Sequence, residues 1–225
     1  MSSQSSSTDR IREKKKLFLN REQRIISAAL ELFLSEGIDR VTVSKIAAAV
    51  GIGKGTVYKH FLTKNEILIR IMLDYEHNIT NCLAAGIAKA QNGDSGAAAK
   101  GYFEARLARP ELDRLVQHLE VRLSDVEDIA PQLEQLHKLR RSNEDSLNGL
   151  MSELIDKQVL EDVPPHFHYL ACWALAQGAV ELAFNKSWNY RTDSKELMEF
   201  ISNIGVTMGN RGQYHSSGSD KSDNS

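Results

Sequence analysis

The amino-acid sequence predicts an all-α protein, in which a small N-terminal domain of three helices precedes a larger helical C-terminal domain. Apolar residues recur at three- and four-residue spacing along most of the 225 residues, and no run alternates with the two-residue period of a strand. Aromatic residues make up only 7% of the chain, and it contains only four prolines. With 41% hydrophobic residues, the chain can bury a substantial core.

The N-terminus is predicted to be a disordered basic arm over residues 1–16. Its first nine residues are rich in serine, and the sequence RIREKKK follows at 10–16. Such an arm can contact DNA phosphates or a minor groove, and a solubilising tail fits the composition equally well. Asn20, with Gln23 three residues later, predicts the cap of a first helix that runs to about Ser35.

The stretch 42–61, TVSKIAAAVGIGKGTVYKHF, predicts two short helices joined by a tight turn. Its apolar residues share one face of each helix: Val43, Ile46, Ala47 and Val50 in the first, Val57 and Phe61 in the second. Gly51 and Gly53 permit the left-handed backbone that such a turn needs. Thr42 is placed to cap the first of the two helices. This layout is typical of a helix-turn-helix, whose second helix enters the DNA major groove.

The second helix of this motif carries lysine, threonine, tyrosine and histidine side chains, which supply hydrogen-bond donors. A helix in the major groove needs such donors to contact phosphates and base edges. A plain structural hairpin of two helices fits the same spacing. The spacing alone therefore leaves both interpretations open.

The longer string favours the DNA-binding interpretation. GKGTVYKHF, followed by TKNEIL at 63–68, resembles the signature of the TetR/AcrR family of bacterial transcriptional regulators, and so does ALELF at 29–33. The resemblance covers about residues 20–75. The sequence departs from it at Val50, where the family usually has alanine, and at Ile52-Gly53, where valine-serine is common. A glycine at 53 lacks the serine hydroxyl that can contact a phosphate but still offers its backbone N–H.

The resemblance implies a repressor that binds a palindromic operator in double-stranded DNA as a homodimer and is released by a small effector. No cofactor, metal or enzymatic activity is expected. Residues expected to bind DNA are Thr42, Gly53, Lys54, Gly55, Thr56, Tyr58, Lys59, His60 and Lys64. A rival interpretation is a helical adaptor or ligand-binding protein of the same fold that does not bind an operator.

The domain boundary is predicted near residue 64, with the DNA-binding domain at 17–64 and the effector-binding and dimerisation domain at 65–209. Thr63 and Glu66 predict a capping box for a long fourth helix that continues to about Ala90. Further helices are predicted from Ala97, Pro110 and Pro131, and at 167–184 and 194–208. The polar tail at 210–225 is predicted to be disordered.

The segment 167–184 is apolar almost all round, with Glu181 as its only formally charged residue. A helix that is apolar on both sides must be covered on both sides, by this chain's core and by a partner subunit. The small residues Ala171, Ala174 and Gly178 are a candidate crossing point of two subunits, and packing against this chain's own long helices is the alternative. In the resembled family, the last two long helices form a four-helix dimer interface.

Gln177, Glu181 and Asn185 lie on one helical side and are candidates to bind an effector. A hydrogen-bonded seam between subunits is the alternative role for them. Few charged residues fall in the predicted core, which favours an apolar or amphipathic effector. His166 and His168 do not make a metal site, since alternate helical residues point in different directions.

Charge is distributed unevenly: residues 1–64 hold 12 Lys+Arg against 6 Asp+Glu, whereas the whole chain has a net charge of −2. The basic N-terminal part predicts a nucleic-acid partner. No apolar run is long enough to cross a membrane, and the N-terminus has no apolar signal core, so a cytoplasmic location is expected. Cys82 and Cys172 fall in helical patterns and are expected to be reduced packing residues.

Overall fold

A computed structural model describes residues 3–185 and 194–209, and α-helices form most of this part of the chain. The predicted all-α class is confirmed. The helices are α1 Ser3–Glu36, α2 Val43–Val50, α3 Lys54–Val57, α4 Lys64–Gln91, α5 Ala97–Leu107, α6 Pro110–Leu123, α7 Ala130–Asp156, α8 Pro165–Phe184 and α9 Ser194–Gly209. Two short 3₁₀ turns lie at Ile38–Arg40 and Glu127–Ile129. None of the helices in the described part is long and apolar enough to cross a membrane.

The chain divides into two compact units. The first contains the residues up to 72 together with 119–132, and the second contains 73–118 and the residues from 133 onward. The sequence pattern predicts one domain over 65–209, whereas the contacts of the segment 119–132 group it with the first unit. Leu119, Leu123 and Ile129 are buried, and the segment is tied within the first unit by Arg122, whose Nη2 lies 2.7 Å from a carboxylate oxygen of Asp39.

Helix α1 begins much earlier than the sequence pattern predicts. It starts at Ser3, so the predicted disordered arm is helical over 3–16, and Asn20 lies inside the helix rather than at its cap. The physical reason is that no glycine or proline interrupts the segment 3–36, and the side chains over 10–17 are mostly good helix formers. The predicted disordered tail at 210–225 lies outside the described residues.

Close backbone contacts pack α5 against two other helices of the second unit. A Cβ added to Gly86 in α4 would lie 2.7 Å from the carbonyl oxygen of Ala97, and one added to Gly101 would lie 2.9 Å from that of Cys82. On α9, a Cβ at Gly205 would lie 2.1 Å from the ring of Phe103, which is fully buried. Glycine at these positions lets α4, α5 and α9 approach more closely than any side chain would allow.

Two apolar clusters lie in the described part of the second unit. One joins the end of α4 to α5 and α7, and its buried members are Ala90, Ala98, Leu150, Met151, Leu154 and Leu160. The other joins α8 to α9 through Ala179, Met198 and Ile201. The long fourth helix predicted from the sequence is confirmed over Lys64–Gln91, and the Thr63 hydroxyl accepts a hydrogen bond from the backbone N–H of Glu66.

Candidate nucleic-acid interface

Helix α2 has the cap and the turn that the sequence predicts. The hydroxyl of Thr42 accepts a hydrogen bond from the backbone N–H of Lys45 at 3.3 Å, and Thr42 remains exposed. Gly51 ends the helix in the left-handed conformation, with φ 74° and ψ 35°. The face formed by Ile46, Ala47 and Val50 is buried. The first half of the predicted helix-turn-helix is therefore confirmed.

Helix α3 is only four residues long, and hydrogen-bonded turns continue it to Phe61. Val57 and Phe61 are buried and hold it to the first unit. On the other side, four residues are exposed to solvent, and we call them the α3 face: Lys54, Gly55, Tyr58 and Lys59. The Lys54 ammonium lies 5.7 Å from the centre of the Tyr58 ring, a distance at which the ring attracts the cation. Thr56 is half-buried.

The protein's own packing does not require glycine at 53 or 55. A Cβ added at either position would have no heavy atom within 4 Å, and Gly53 has a φ of −70°, which any residue adopts. Glycine also lowers helix stability relative to alanine, by about 1 kcal/mol at an exposed interior position. The absence of side chains here therefore leaves the backbone open to close approach by another molecule.

His60, which the sequence predicts to bind DNA, does not lie on the α3 face. Its side chain is only 1% exposed, and its ring stacks on that of Phe18 in α1, with 4.0 Å between centroids and 29° between planes. Its Nδ1 has no hydrogen-bond partner, and it lies 3.9 Å from a carboxylate oxygen of Glu22. The sequence does contain a signal for this burial. His60 is three residues after the buried Val57 and therefore lies on the same side of the helical turn.

Lys64, another residue predicted to bind DNA, is half-buried and has its ammonium bound within the first unit. Its ammonium donates to the carbonyl oxygens of Ile38 and Val41, at 3.0 and 3.2 Å. Ile38 begins the short 3₁₀ turn between α1 and α2, and Val41 caps its end. Lys64 therefore closes the connection between α1 and α2 and does not face outward with Lys59.

The environment of His60 predicts a pH dependence for the first unit. Burial lowers the pKa of His60 below its ordinary value. The positive charge of Arg21 also lowers this pKa, and the negative charge of Glu22 raises it by less than burial lowers it. Since the unfolded chain then binds more protons, the free energy of unfolding should fall as the pH drops below about 6.5 toward the folded pKa. Denaturant titrations between pH 8 and pH 5 measure this loss.

The matched variants for that titration are His60→Phe, which keeps a ring on Phe18, and His118→Phe, which changes an exposed histidine. We expect the loss of stability on acidification to shrink in His60→Phe and to persist in His118→Phe. Equal pH profiles for wild type and His60→Phe would contradict the assignment.

Comparison with known proteins identifies this helix-turn-helix. Residues 25–71 match the sequence profile described as bacterial regulatory proteins, tetR family. The chain is 42% identical over 55 residues to the HTH-type transcriptional regulator SrpR of Pseudomonas putida, a match that spans 24% of this chain and about a quarter (26%) of SrpR. A longer match, at 28% identity, joins 80% of this chain to 77% of the HTH-type transcriptional regulator TcmR of Streptomyces glaucescens.

The helix-turn-helix segment at residues 25–71 is of the tetR type. Solved structures share the fold over most of the chain: a tetR-family regulatory protein from Rhodococcus RHA1 has a TM-score of 0.64 at 18% identity, over 84% of this chain and 97% of that one. The tetR-family regulator PfmR of Thermus thermophilus has a TM-score of 0.63 at 19% identity, over 83% and 94% of the two chains.

The three candidate effector residues on α8 have different surroundings. Gln177 is half-buried and accepts a hydrogen bond from Arg106 at 3.2 Å. Glu181 is exposed, and its carboxylate lies 3.6 Å from Nε of Arg114. Asn185 is the exposed residue that ends α8. Of the three, Gln177 alone belongs to a buried polar cluster, so the three side chains have separate surroundings along α8.

That cluster surrounds a buried ion pair between α5 and α6. Nε and Nη2 of Arg106 donate to the two carboxylate oxygens of Asp113 at 2.7 and 2.8 Å, and Asp113 is 1% exposed. The hydroxyl of Tyr75 and the amide of Gln117 also donate to Asp113, and Arg106 Nη1 donates to the hydroxyl of Tyr102 at 3.0 Å. We call this set the Arg106–Asp113 network.

The Arg106–Asp113 network joins four helices, because Tyr75 lies in α4, Tyr102 and Arg106 in α5, Asp113 in α6 and Gln177 in α8. Burial raises the pKa of Tyr102 to about 12, although Arg106 opposes the shift, so this tyrosine stays protonated at neutral pH. The sequence pattern missed the network. The available signal was that Arg106 lies three residues after the apolar Phe103, and Asp113 three residues before Val116, on faces that are otherwise buried.

Proposed function

We propose that this protein is a DNA-binding transcriptional regulator, which represses genes from a palindromic operator and leaves it when a small effector binds. The α3 face carries the proposal, because it is exposed, basic and open at Gly53 and Gly55, while Val57 and Phe61 anchor its opposite side. These are the properties that a helix needs in order to enter a major groove. The proposed DNA contacts are Thr42 and the residues Gly53, Lys54, Gly55, Thr56, Tyr58 and Lys59.

Each part of the α3 face has a distinct proposed role. The Lys59 ammonium and the Tyr58 hydroxyl contact phosphates and fix the register of the helix, since neither kind of contact depends on base sequence. Lys54 and Thr56, at the start of α3, are directed toward base edges, as the N-terminal residues of recognition helices are. Thr42 and the N–H groups at the start of α2 add a phosphate contact from the neighbouring helix.

Lys59→Ala and Tyr58→Ala should each weaken operator binding without unfolding the protein, because both side chains are exposed and outside the core. Removing one phosphate interaction should reduce the slope of log K against log salt by about 0.9. Gel shifts over a series of salt concentrations, with an operator selected from a random duplex pool, measure this slope. Lys100→Ala, which removes an exposed lysine from the second unit, is the matched control. Wild-type affinity in both α3 variants would rule out the proposed face.

Gly55→Ala separates folding from DNA binding at the same face. Alanine has room at this position and favours a helix, so the variant should resist heat at least as well as the wild type. Its methyl group would nevertheless occupy space that the proposed complex gives to DNA, and operator affinity should fall about tenfold or more, which is about 1.4 kcal/mol. Calorimetry tests the expected thermal stability, and the same gel shift tests the expected loss of affinity. Undiminished affinity would contradict a close approach of DNA at Gly55.

The proposed homodimer is supported by the outer surfaces of α8 and α9. Phe167, Leu170 and Trp173 are 53%, 47% and 52% exposed, and Phe200 and Ile204 on α9 are 61% and 38% exposed. Soluble proteins rarely leave several large apolar side chains exposed on two neighbouring helices. A second copy of the chain, carrying the same surface, would cover them and place two α3 faces on one operator.

The effector is proposed to bind within the second unit of a cytoplasmic protein. The expected preference for an apolar ligand assumed a core with few charged residues. Few charged side chains are buried in the described part of the chain, and two of them, Arg106 and Asp113 at 5% and 1% exposure, are paired with each other. An apolar or amphipathic effector is therefore the proposed class.

A further inference from the structure

The N-terminal part of α1 is a helix whose side chains are exposed to solvent, and Phe18 alone among them stacks on a ring of the first unit in the contacts described above. Every side chain from 9 to 21 is exposed, although the helix continues into the buried residues Ile25 and Ile26. We call the segment 9–21 the α1 extension. It is strongly basic, since its only acidic residues are Asp9 and Glu13, and its basic residues are Arg10, Arg12, Lys14, Lys15, Lys16 and Arg21.

Because the segment is helical, its basic side chains lie on distinct faces of the helix. Arg10, Lys14 and Arg21 are spaced at i, i+4 and i+11, so their directions differ by about 40° or less at 100° per residue. Asp9 and Glu13 point roughly a quarter of a turn away from them. A disordered arm would present no such face, so one side of the extension carries a row of positive charge.

Two contacts fix the extension beside the end of the α3 face. Phe18 in the extension stacks on His60, which follows Tyr58 and Lys59 directly. One turn later, Glu22 in α1 accepts a hydrogen bond from Arg70 at 2.6 Å. His60 and Phe18 therefore make the direction of the extension depend on the position of the recognition helix.

We propose that the α1 extension binds the phosphate backbone of duplex DNA that flanks the operator half-site, with the face formed by Arg10, Lys14 and Arg21 toward the DNA. The inference rests on the proposed function, since it needs α3 in a major groove. From Asp9 to Phe18 a helix rises about 14 Å, which is the length of about four base pairs. Charge complementarity selects the partner, because duplex DNA is the dense polyanion next to a bound α3.

The test compares two duplexes: the selected operator trimmed to its minimal site, and the same site with about ten additional base pairs of arbitrary sequence on each side, roughly one helical turn. Wild-type protein should bind the flanked duplex several-fold more tightly at low salt, with a steeper salt dependence. In the triple variant Arg10→Gln, Lys14→Gln and Arg21→Gln, this advantage should disappear, and the salt slope should fall by about 0.9 for each phosphate that the variant no longer neutralises.

A charge-matched triple variant, Arg12→Gln, Lys15→Gln and Lys16→Gln, removes three cations that point mostly to the opposite side of the helix. It should keep the advantage of the flanked duplex. Equal losses in the two triple variants would mean diffuse attraction without a docked face, and a loss confined to this second variant would contradict the assigned face. Either result overturns the proposal.

Phe18→Ala tests the positioning role of the ring stack, because it changes no charge. We expect it to lose the preference for the flanked duplex while keeping affinity for the minimal site within about twofold, or 0.4 kcal/mol. Wild-type protein that binds both duplexes equally would refute the role of the extension and leave the α3 proposal intact. Wild-type protein that does not select any operator would refute the proposed function itself.

Discussion

Asp113→Ala is expected to destabilise the second unit by about 3–5 kcal/mol, the largest effect of any single change predicted for this chain. The substitution leaves the Arg106 guanidinium buried with neither of the two carboxylate oxygens that it contacts. Tyr75 and Gln117 lose their acceptor at the same time. The free energy of unfolding from denaturant titration measures the change.

The control for this prediction is Glu181→Ala, which removes the carboxylate of an exposed ion pair in the same unit. Its partner Arg114 is half exposed and stays solvated, so the cost should be about 0–1 kcal/mol. If the two substitutions have similar effects, the Arg106–Asp113 network does not hold the unit together. The double variant Arg106→Met and Asp113→Leu should recover much of the stability, since no buried charge then remains unpaired.

Gly178→Leu is expected to convert the proposed homodimer to monomer and to abolish operator binding. Within one chain a Cβ at 178 would meet no heavy atom within 4 Å, so the leucine has room in an isolated protomer. Between two protomers, extra bulk at a close crossing costs about 1–3 kcal/mol per overpacked site, and symmetry places the change on both subunits. Sedimentation over a wide range of protein concentration would show the larger monomer fraction.

Gly205→Leu is the matched substitution inside the chain. Its Cβ would lie 2.1 Å from the ring of Phe103, so it should lower the melting temperature through the packing of α9 on α5. Gly178→Leu should instead change the mass at low concentration and leave the secondary structure intact. A dimer that stays intact at every concentration in Gly178→Leu would show that the subunits meet elsewhere.

Local signals in the sequence predicted the helix-turn-helix well. Thr42 caps α2 and Gly51 ends it, because both effects depend on residues within one turn of the chain. Thr63 likewise marks the start of α4. By contrast, Asn20 has the composition of a cap but lies inside α1, since nothing before it breaks the helix.

Features that depend on tertiary contacts were not predicted. His60 and Lys64 have the chemistry of DNA ligands, but Phe18 and the carbonyls of Ile38 and Val41 hold them inside the first unit. The pairing of Arg106 with Asp113 could not be predicted from the sequence pattern either, because it depends on how α5 and α6 are placed relative to each other. Residue type determines which interactions a side chain can make, and the packing of neighbouring helices determines which of them it makes.

The glycines between α4 and α5 have a consequence for how these helices can move. Helices that interlock through side-chain ridges resist sliding, because the ridges must pass over one another. At Gly86 and Gly101 the two backbones meet without such ridges. We therefore expect α4 to move against α5 by shear along its axis and not by opening like a hinge. The methyl group of an alanine at Gly86 would lie 2.7 Å from the carbonyl oxygen of Ala97 and would block this shear motion sterically.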